Sequence, residues 1–156
     1  MNWVKKIRWK LAEILQLPYN IWMIVRFPFL CPKVGYFGQY CWYRSIPLGW
    51  RKAFGIQLCK EIKQSLKYNN CDNFYITDVK EKFGELRIYE YGAPFEVCDI
   101  IYKYEYISSN TCIDCGRIAT RKSEGYILPF CDNCGSQYIS FKKYYKDYDF
   151  YGYKND

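Results

Sequence analysis

The sequence predicts an α+β fold in which a helix, an antiparallel hairpin and a second helix form the core, with a small cysteine-held module on the C-terminal side. Two stretches with apolar residues at helical spacing flank two segments with the composition of strands. Two matched cysteine pairs follow the second stretch. At 156 residues the chain is about one domain long, and no low-complexity linker divides it.

The first core helix is predicted from a strict four-residue repeat of apolar side chains, with basic residues between them available to solvent. The repeat ends at Asn69 and Asn70, which terminate helices readily. The residues of the repeat are Trp50, Phe54, Leu58, Ile62 and Leu66.

The hairpin is predicted from candidate strands at about 73–80 and 85–91, joined by EKFG, with Phe83 and Gly84 at the turn. Gly92 and Pro94 then mark the entrance to the second helix, which closes near Ser108. Its predicted buried stripe consists of Val97, Ile100, Ile101, Tyr104 and Ile107.

Upstream of this core, residues 3–15 have the pattern of a short basic amphipathic helix. We expect this N-terminal segment to pack on the rest of the domain, and the alternative is a contact with an anionic membrane surface. The apolar stretch at 17–30 is interrupted by Arg26 and Pro28, so no transmembrane helix is predicted. Lys10 and Glu13 break the first apolar stretch and no small-residue cleavage site follows it, so no convincing signal peptide is predicted.

Four cysteines near the C-terminal end form the pattern C-x2-C-x15-C-x2-C, which has the spacing of a tetrahedral zinc site. Gly116 and Gly135 follow the second cysteine of each pair, where a positive φ would cost little, so each half has the pattern of a zinc knuckle. Four thiolates leave no open position for water, so the predicted Zn²⁺ is structural. The predicted ligands are Cys112, Cys115, Cys131 and Cys134.

Two alternatives to the zinc site are a pair of disulfides and a thioredoxin-like dithiol, although two matched pairs at this spacing favour metal. Five further cysteines have no recognisable framework and are expected to be reduced, in a reducing compartment. These five are Cys31, Cys41, Cys59, Cys71 and Cys98.

The composition argues against catalysis and for a binding role. The chain has no histidine, which removes the commonest general base, and no motif pairs two acids, so we expect it not to be an enzyme. Residues 1–67 carry twelve Lys and Arg against two acids, and the remainder carries eleven against fourteen. Such asymmetry is typical of a chain that faces a polyanion, or of two halves that attract each other. The 18 tyrosines either stack on a partner or fill a small core and its rim.

The runs GWRKAF and VKEKFGELRIY, followed by the cysteine pairs, resemble a group of small, mostly uncharacterised zinc-binding proteins of tailed bacteriophages and prophages. The resemblance covers residues 50–134 and departs from the group at Cys134, where those proteins often have a histidine. It implies a phage or prophage origin and a place in the cytoplasm of a bacterial host cell, without implying an activity. Its matched hairpin positions are Lys80, Lys82, Phe83, Gly84, Leu86, Arg87 and Tyr89.

These observations predict a non-catalytic, zinc-stabilised binding protein that favours nucleic acid. The alternative is a counter-defence inhibitor that binds a bacterial host protein or a small nucleotide ligand. We expect an N-terminal segment at 1–48, a core at 49–110, a zinc module at 111–137 and a tyrosine-rich helix or tail at 138–156. The residues predicted to contact nucleic acid or another ligand are Arg51, Lys52, Lys80, Lys82, Arg87 and Tyr89.

Overall fold

The computed structural model describes residues 19–31 and 42–136, and it confirms the predicted α+β class. The expected helix at 3–15, the expected helix or tail at 138–156, and Cys41 lie outside the described residues. Within the described ranges, every helix is too short or too polar to cross a membrane.

The first core helix is a continuous helical segment with one wide turn. After α1 at 19–26, α2 covers Leu48–Trp50, a π turn covers Arg51–Gly55, and α3 covers Ile56–Tyr68. A repeat of exactly four residues advances further than one 3.6-residue turn, so its stripe would drift around a regular α-helix. The wider turn offsets this drift and keeps the first four members of the repeat buried.

The C-terminal end of α3 is a Schellman motif. Asn70 has a φ of +50°, the amide of Asn70 donates to the carbonyl of Lys67 at 3.3 Å, and the amide of Cys71 donates to the carbonyl of Leu66 at 3.0 Å. Asparagine tolerates this left-handed conformation better than most residues. The motif confirms the predicted end of the helix and sets the direction of the chain toward the hairpin.

The hairpin consists of β1, Tyr75–Lys82, and β2, Glu85–Tyr91, paired antiparallel with Lys82 opposite Glu85. Phe83 and Gly84 are the two loop residues, with φ of +54° and +80°. Positive φ at both positions is typical of a type I′ turn, whose twist matches that of the two strands. The predicted turn is therefore confirmed.

A β-bulge near Thr77 interrupts the register between Ile76 and Asp78. Ile76 and Val79 are three residues apart, so both could not face the core in a regular strand with a period of two. The extra residue lets both side chains be buried and keeps Asp78 and Lys80 on the opposite face.

The second helix, α4, covers Phe95–Ser109 and packs against β2 and α3. Two of its side chains bind the outer edge of β2: the Leu86 amide donates to Ser108 Oγ at 2.8 Å, and the Ile88 amide donates to Glu105 Oε1 at 2.9 Å. The helix therefore covers both an apolar face and an edge of the hairpin.

The C-terminal module is built from very short elements. Strands β3, Arg121–Lys122, and β4, Pro129–Phe130, pair antiparallel, and helix α5 at 132–136 follows. Phe130, Cys112 and Cys131 form a small apolar cluster, separate from the main core. A cluster this small buries too little apolar surface to stabilise the module alone. The stability of the module therefore depends on how its cysteines are arranged.

Candidate metal centre

Four sulfur atoms converge in the C-terminal module. The Sγ atoms of Cys112, Cys115, Cys131 and Cys134 all lie within 4.8 Å of one another. The Cys115 and Cys131 sulfurs are 3.6 Å apart, close to the edge of about 3.8 Å that follows from Zn–S bonds of about 2.3 Å in a tetrahedron. A disulfide would need about 2.05 Å. The eight described cysteines are all unbridged, and the four predicted ligands form one cluster that could hold a metal ion.

The first cysteine pair lies in a tight loop of the knuckle type. The Gly116 amide donates to the Cys112 carbonyl at 3.0 Å, and the Cys112 amide donates to the Arg117 carbonyl at 2.7 Å. Gly116 has a φ of +82°, a conformation that glycine adopts at little cost. The loop turns sharply enough for both sulfurs to point to one place.

The second cysteine pair lies at the start of a helix, so Gly135 does not adopt the positive φ that a glycine would allow there. The Gly135 amide makes a helical hydrogen bond of 2.8 Å with the Cys131 carbonyl. Glycine matters here because it leaves room: a Cβ would lie 2.5 Å from Cδ of Arg121, whose guanidinium binds Asp132.

The electrostatics of the cluster favour some thiolates and oppose others. Hydrogen bonds from Arg117, whose Nε lies 3.4 Å from the sulfur, lower the pKa of Cys115. The backbone amide of Cys134 lowers the pKa of Cys131, whereas burial and the neighbouring sulfurs raise the pKa of Cys134. Four negative sulfurs repel one another, so a divalent cation is the group that would stabilise them together. The donor set therefore fits a metal ion in a closed, structural site.

The first knuckle is attached to the start of the core helix by hydrogen bonds to two of its backbone carbonyls. The Gly49 amide donates to the Ile113 carbonyl at 2.8 Å, and Trp50 Nε1 donates to the Thr111 carbonyl at 2.8 Å. A Cβ on Gly49 would lie only 2.3 Å from the Cys112 carbonyl oxygen. Glycine and tryptophan at these two positions thus let the helix and the knuckle approach each other closely.

The module is also attached to the tip of the hairpin. Tyr126 donates a hydrogen bond to Glu81, and the position of a Cβ on Gly84 lies 3.1 Å from the Ile127 carbonyl oxygen. With the contacts at Gly49 and Trp50, this gives the cysteine module two attachments to the core. The cluster therefore stabilises the position of the hairpin as well as its own loops.

The hairpin turns one face away from the core, and four of the six predicted contact residues lie on it. We call it the outer hairpin face. Alternation along both strands places its side chains opposite the buried Leu86 and Ile88. The face consists of Tyr75, Asp78, Lys80, Lys82, Glu85, Arg87, Tyr89 and Tyr91.

The basic residues of this face have partners on the protein. Lys80 pairs with Asp78 at 2.6 Å, and its Nζ lies 4.4 Å from the centre of the Tyr89 ring. Arg87 contacts both Glu85 and, at 3.7 Å, Glu105. These contacts hold the cations in place on the outer hairpin face.

Lys82, also on the outer hairpin face, is exposed, with its Nζ 5.6 Å from the centre of the Phe83 ring at the hairpin tip. The remaining two predicted contacts, Arg51 and Lys52, lie in the π turn, close to the first knuckle rather than on the outer hairpin face.

Sequence reasoning missed two residues of the outer hairpin face, Tyr75 and Tyr91. They are cross-strand partners, with ring centres 5.3 Å apart and planes inclined by 31°. The strand register is the signal that could have found them. Counting outward from the two-residue turn pairs Tyr75 with Tyr91 only when the one-residue shift at the bulge is included.

No protein-family model matches this chain. Neither a curated protein nor a solved structure is similar to it at a significant level. The resemblance to phage proteins therefore stays a prediction, and the function has to be argued from the residues alone.

Proposed function

We propose that this chain is a zinc-stabilised, non-catalytic protein that binds single-stranded nucleic acid on the outer hairpin face. The observation that carries the proposal is the interleaving of aromatic rings and cations on that face. Exposed rings at Tyr89, Tyr91 and Phe83 accompany the cations Lys80 and Lys82.

Zinc is the ion that the donor set favours. Four sulfur ligands at tetrahedral spacing suit Zn²⁺ or iron, and hard cations such as Mg²⁺ prefer oxygen. Elemental analysis of freshly purified, reduced protein tests the identity, with one zinc per chain as the expected result. Iron in its place, or no metal, would contradict it.

Aromatic rings on a strand surface support base stacking. Every base has a π face, and stacking on one aromatic side chain contributes about 1–3 kcal/mol per base without sequence preference. Tyr89 is 43% exposed, Tyr91 60% and Phe83 70%, so each ring offers surface to a base. A duplex keeps its bases stacked internally, and for this reason the proposal specifies single strands.

The charge of the face supports modest phosphate contact. Lys80, Lys82 and Arg87 are offset by Asp78 and Glu85 on the same face. With at most three phosphates neutralised, the slope of log K against log salt should be no steeper than about −2. Stacking rather than charge would then supply most of the affinity.

Fluorescence anisotropy with labelled single- and double-stranded oligonucleotides over a range of salt tests the proposal on metal-loaded protein. We expect single strands to bind more tightly and Tyr89→Ala to weaken them about 10-fold. Tyr102→Ala is the matched control, because Tyr102 is an exposed tyrosine on α4, outside the outer hairpin face. Absence of binding at low salt, or equal effects of the two variants, would refute the proposal.

A second candidate function is binding of a bacterial host protein, as in a phage inhibitor. One face of α4 exposes three aromatic rings, Phe95, Tyr102 and Tyr106, each at least 66% exposed. Aromatic residues are enriched at the centres of protein interfaces. Affinity capture from bacterial lysate with wild-type protein and with Tyr106→Ala tests it, and a partner retained equally by both would count against this surface.

A further inference from the structure

We infer that α4 is the interface of a symmetric dimer, in which two copies of this chain pack their exposed α4 faces together antiparallel. The inference goes beyond the proposed binding of nucleic acid. It gives a different occupant to the face that the second candidate function assigns to a host protein. Four residues of α4 carry it, and we call them the outer α4 face: Phe95, Asp99, Tyr102 and Tyr106.

The outer α4 face points away from the core. In a helix of 3.6 residues per turn its four members fall within about 60° of one another, and their centre lies about 160° from that of the buried stripe. Phe95 is 76% exposed, Tyr102 66% and Tyr106 74%, and Asp99 is exposed as well. The helix therefore has a second contact surface opposite the one that packs on the hairpin. The buried stripe consists of Val97, Ile101, Tyr104 and Ser108.

The spacing of this face is that of a coiled-coil seam. Steps of four, three and four residues keep side chains on one line along a helix, as at the a and d positions of a heptad. Two such helices pack side by side, with their axes about 8–10 Å apart and their seams in contact. Helix α4 has 15 residues, so it is about 22 Å long and the seam runs along most of it.

Asp99 decides the direction in which the second copy lies. In a parallel pair the two Asp99 carboxylates would face each other within the seam and repel. An antiparallel pair has a two-fold axis midway between Asp99 and Tyr102, which brings each Asp99 beside Tyr102 of the other copy. The tyrosine hydroxyl is then placed to donate to the carboxylate. The same axis brings Phe95 against the Tyr106 ring of the other copy, so the face is complementary to itself, as a two-fold interface requires.

The charges on one flank of this face support the same arrangement. Glu96 and Lys103 are both exposed and are seven residues apart, so they lie on the same side of the seam. The two-fold axis places Glu96 opposite Lys103 of the other copy, and this pair occurs twice in the dimer. Lys103 contacts Glu61 on its own chain while its side chain stays 49% exposed. Glu61 thus holds the cation at the edge of the interface.

The size of the interface sets the strength of the dimer. An aromatic side chain buries about 150–250 Å² when it is fully covered. Three rings of this exposure from each copy would bury a total of about 600–1,000 Å², at the lower end of specific interfaces. We therefore expect a reversible dimer that forms at micromolar concentrations and dissociates on dilution.

Sedimentation equilibrium of the full, metal-loaded chain from about 1 to about 500 μM tests the inference. We expect the mass to rise from 18.9 kDa toward twice that value. Tyr106→Ala should weaken the dimer at least about 10-fold, because the two-fold axis places each ring in the interface twice. Tyr68→Ala is the matched control, since Tyr68 is 84% exposed at the end of α3, and it should dimerise as the wild type does. A monomer over the whole range, or equal effects of the two variants, would overturn the inference.

Two measurements test the antiparallel register. Tyr102→Phe keeps the ring and removes the hydroxyl, so it should weaken the dimer about 10-fold through the loss of both bonds to Asp99. In a mixture of isotope-labelled and unlabelled chains, nuclear Overhauser contacts between copies should join the Phe95 ring to the Tyr106 ring. Contacts between the two Phe95 rings, or a Tyr102→Phe variant that dimerises as tightly as the wild type, would overturn this register.

The dimer and the two binding functions can be told apart. Each copy keeps its own outer hairpin face, so dimerisation neither requires nor prevents contact with nucleic acid there. A chain that stays monomeric, and whose Tyr106→Ala variant loses a captured host protein, would overturn the dimer and support the second candidate function.

Discussion

Gly49→Ala should loosen the joint between the core helix and the cysteine cluster. In the structure, a Cβ at this position lies 2.3 Å from the Cys112 carbonyl oxygen and 2.5 Å from that of Ile113. Both neighbours are backbone atoms of the knuckle, so neither can rotate away. The variant must move the knuckle by about 1 Å to reach ordinary contact distances of about 3.5 Å.

The expected cost of this movement can be built from its parts. Overpacking of this kind costs about 1–3 kcal/mol. The displacement also stretches the hydrogen bonds from Gly49 to Ile113 and from Trp50 to Thr111, both 2.8 Å, each with a net contribution of about 1 kcal/mol. A total of about 3 kcal/mol should lower the Tm by roughly 6 to 12 °C in a chain of this size.

Thermal unfolding of metal-loaded protein, followed by circular dichroism, measures this cost. Gly135→Ala is the matched control, because its added Cβ meets Cδ of Arg121, part of a flexible side chain that can move aside. We expect Gly49→Ala to lose several times more stability than Gly135→Ala and to release metal faster to a chelator. Equal Tm values for the two variants would refute the close packing of helix and knuckle.

Three further predictions concern the metal, a half-buried carboxylate and the hairpin edge. Removing the metal with a chelator should unfold the cysteine module, which hydrogen exchange of residues 112–134 would reveal, because its own apolar cluster is very small. Burial raises the pKa of Glu61, but hydrogen bonds from Lys103, Gln57 and Tyr104 outweigh this and hold it below 4.5. The resulting stability is present at neutral pH and is lost as the pH falls below about 4.5, so Glu61→Gln should flatten the acid limb of an unfolding titration and cost about 1 kcal/mol at pH 7. Ser108→Ala should cost about 1–3 kcal/mol in denaturant unfolding, since the buried amide of Leu86 loses its acceptor.

Each of these predictions has an outcome that contradicts it. Unchanged exchange rates after chelation would mean that the module is stable without metal. An acid limb that is identical in Glu61→Gln and wild type would assign the acid sensitivity to other carboxylates. Ser109→Ala, one residue along the same helix, removes a hydroxyl with local partners, which donates to the Tyr106 carbonyl at 2.8 Å and accepts from Asn110 Nδ2 at 3.2 Å. An equal loss from both serine variants would show that the hairpin edge is not involved.

Much of this architecture could be predicted from the pattern of residue types. The cysteine spacing predicted that four sulfurs would meet, and Phe83-Gly84 predicted the turn. Both predictions use local rules that depend on few residues. The periodicities of α3 and α4 were equally clear.

The features that could not be predicted depend on packing between distant segments. The bulge near Thr77 is visible only when both strands are in register, and without it Tyr75 cannot be assigned to the outer hairpin face. Gly135 follows a cysteine just as Gly116 does, yet Gly135 lies in a helix and Gly116 has a positive φ. The contact that requires glycine at position 135 is with the Arg121 side chain, which only the folded module brings near. The need for glycine at position 49 could not be predicted either, because it arises from contact with the backbone of the folded knuckle.

A hairpin of only two strands ordinarily offers its edges to any extended chain nearby. Here the edge of β2 is sealed, because Ser108 and Glu105 already accept the hydrogen bonds that a third strand would take from Leu86 and Ile88. Growth of the sheet on that side, whether by a peptide ligand or by a second copy in an aggregate, would first require α4 to detach. While α4 stays in place, a partner of β2 is therefore left with the exposed side chains of the outer hairpin face rather than with the backbone of this edge.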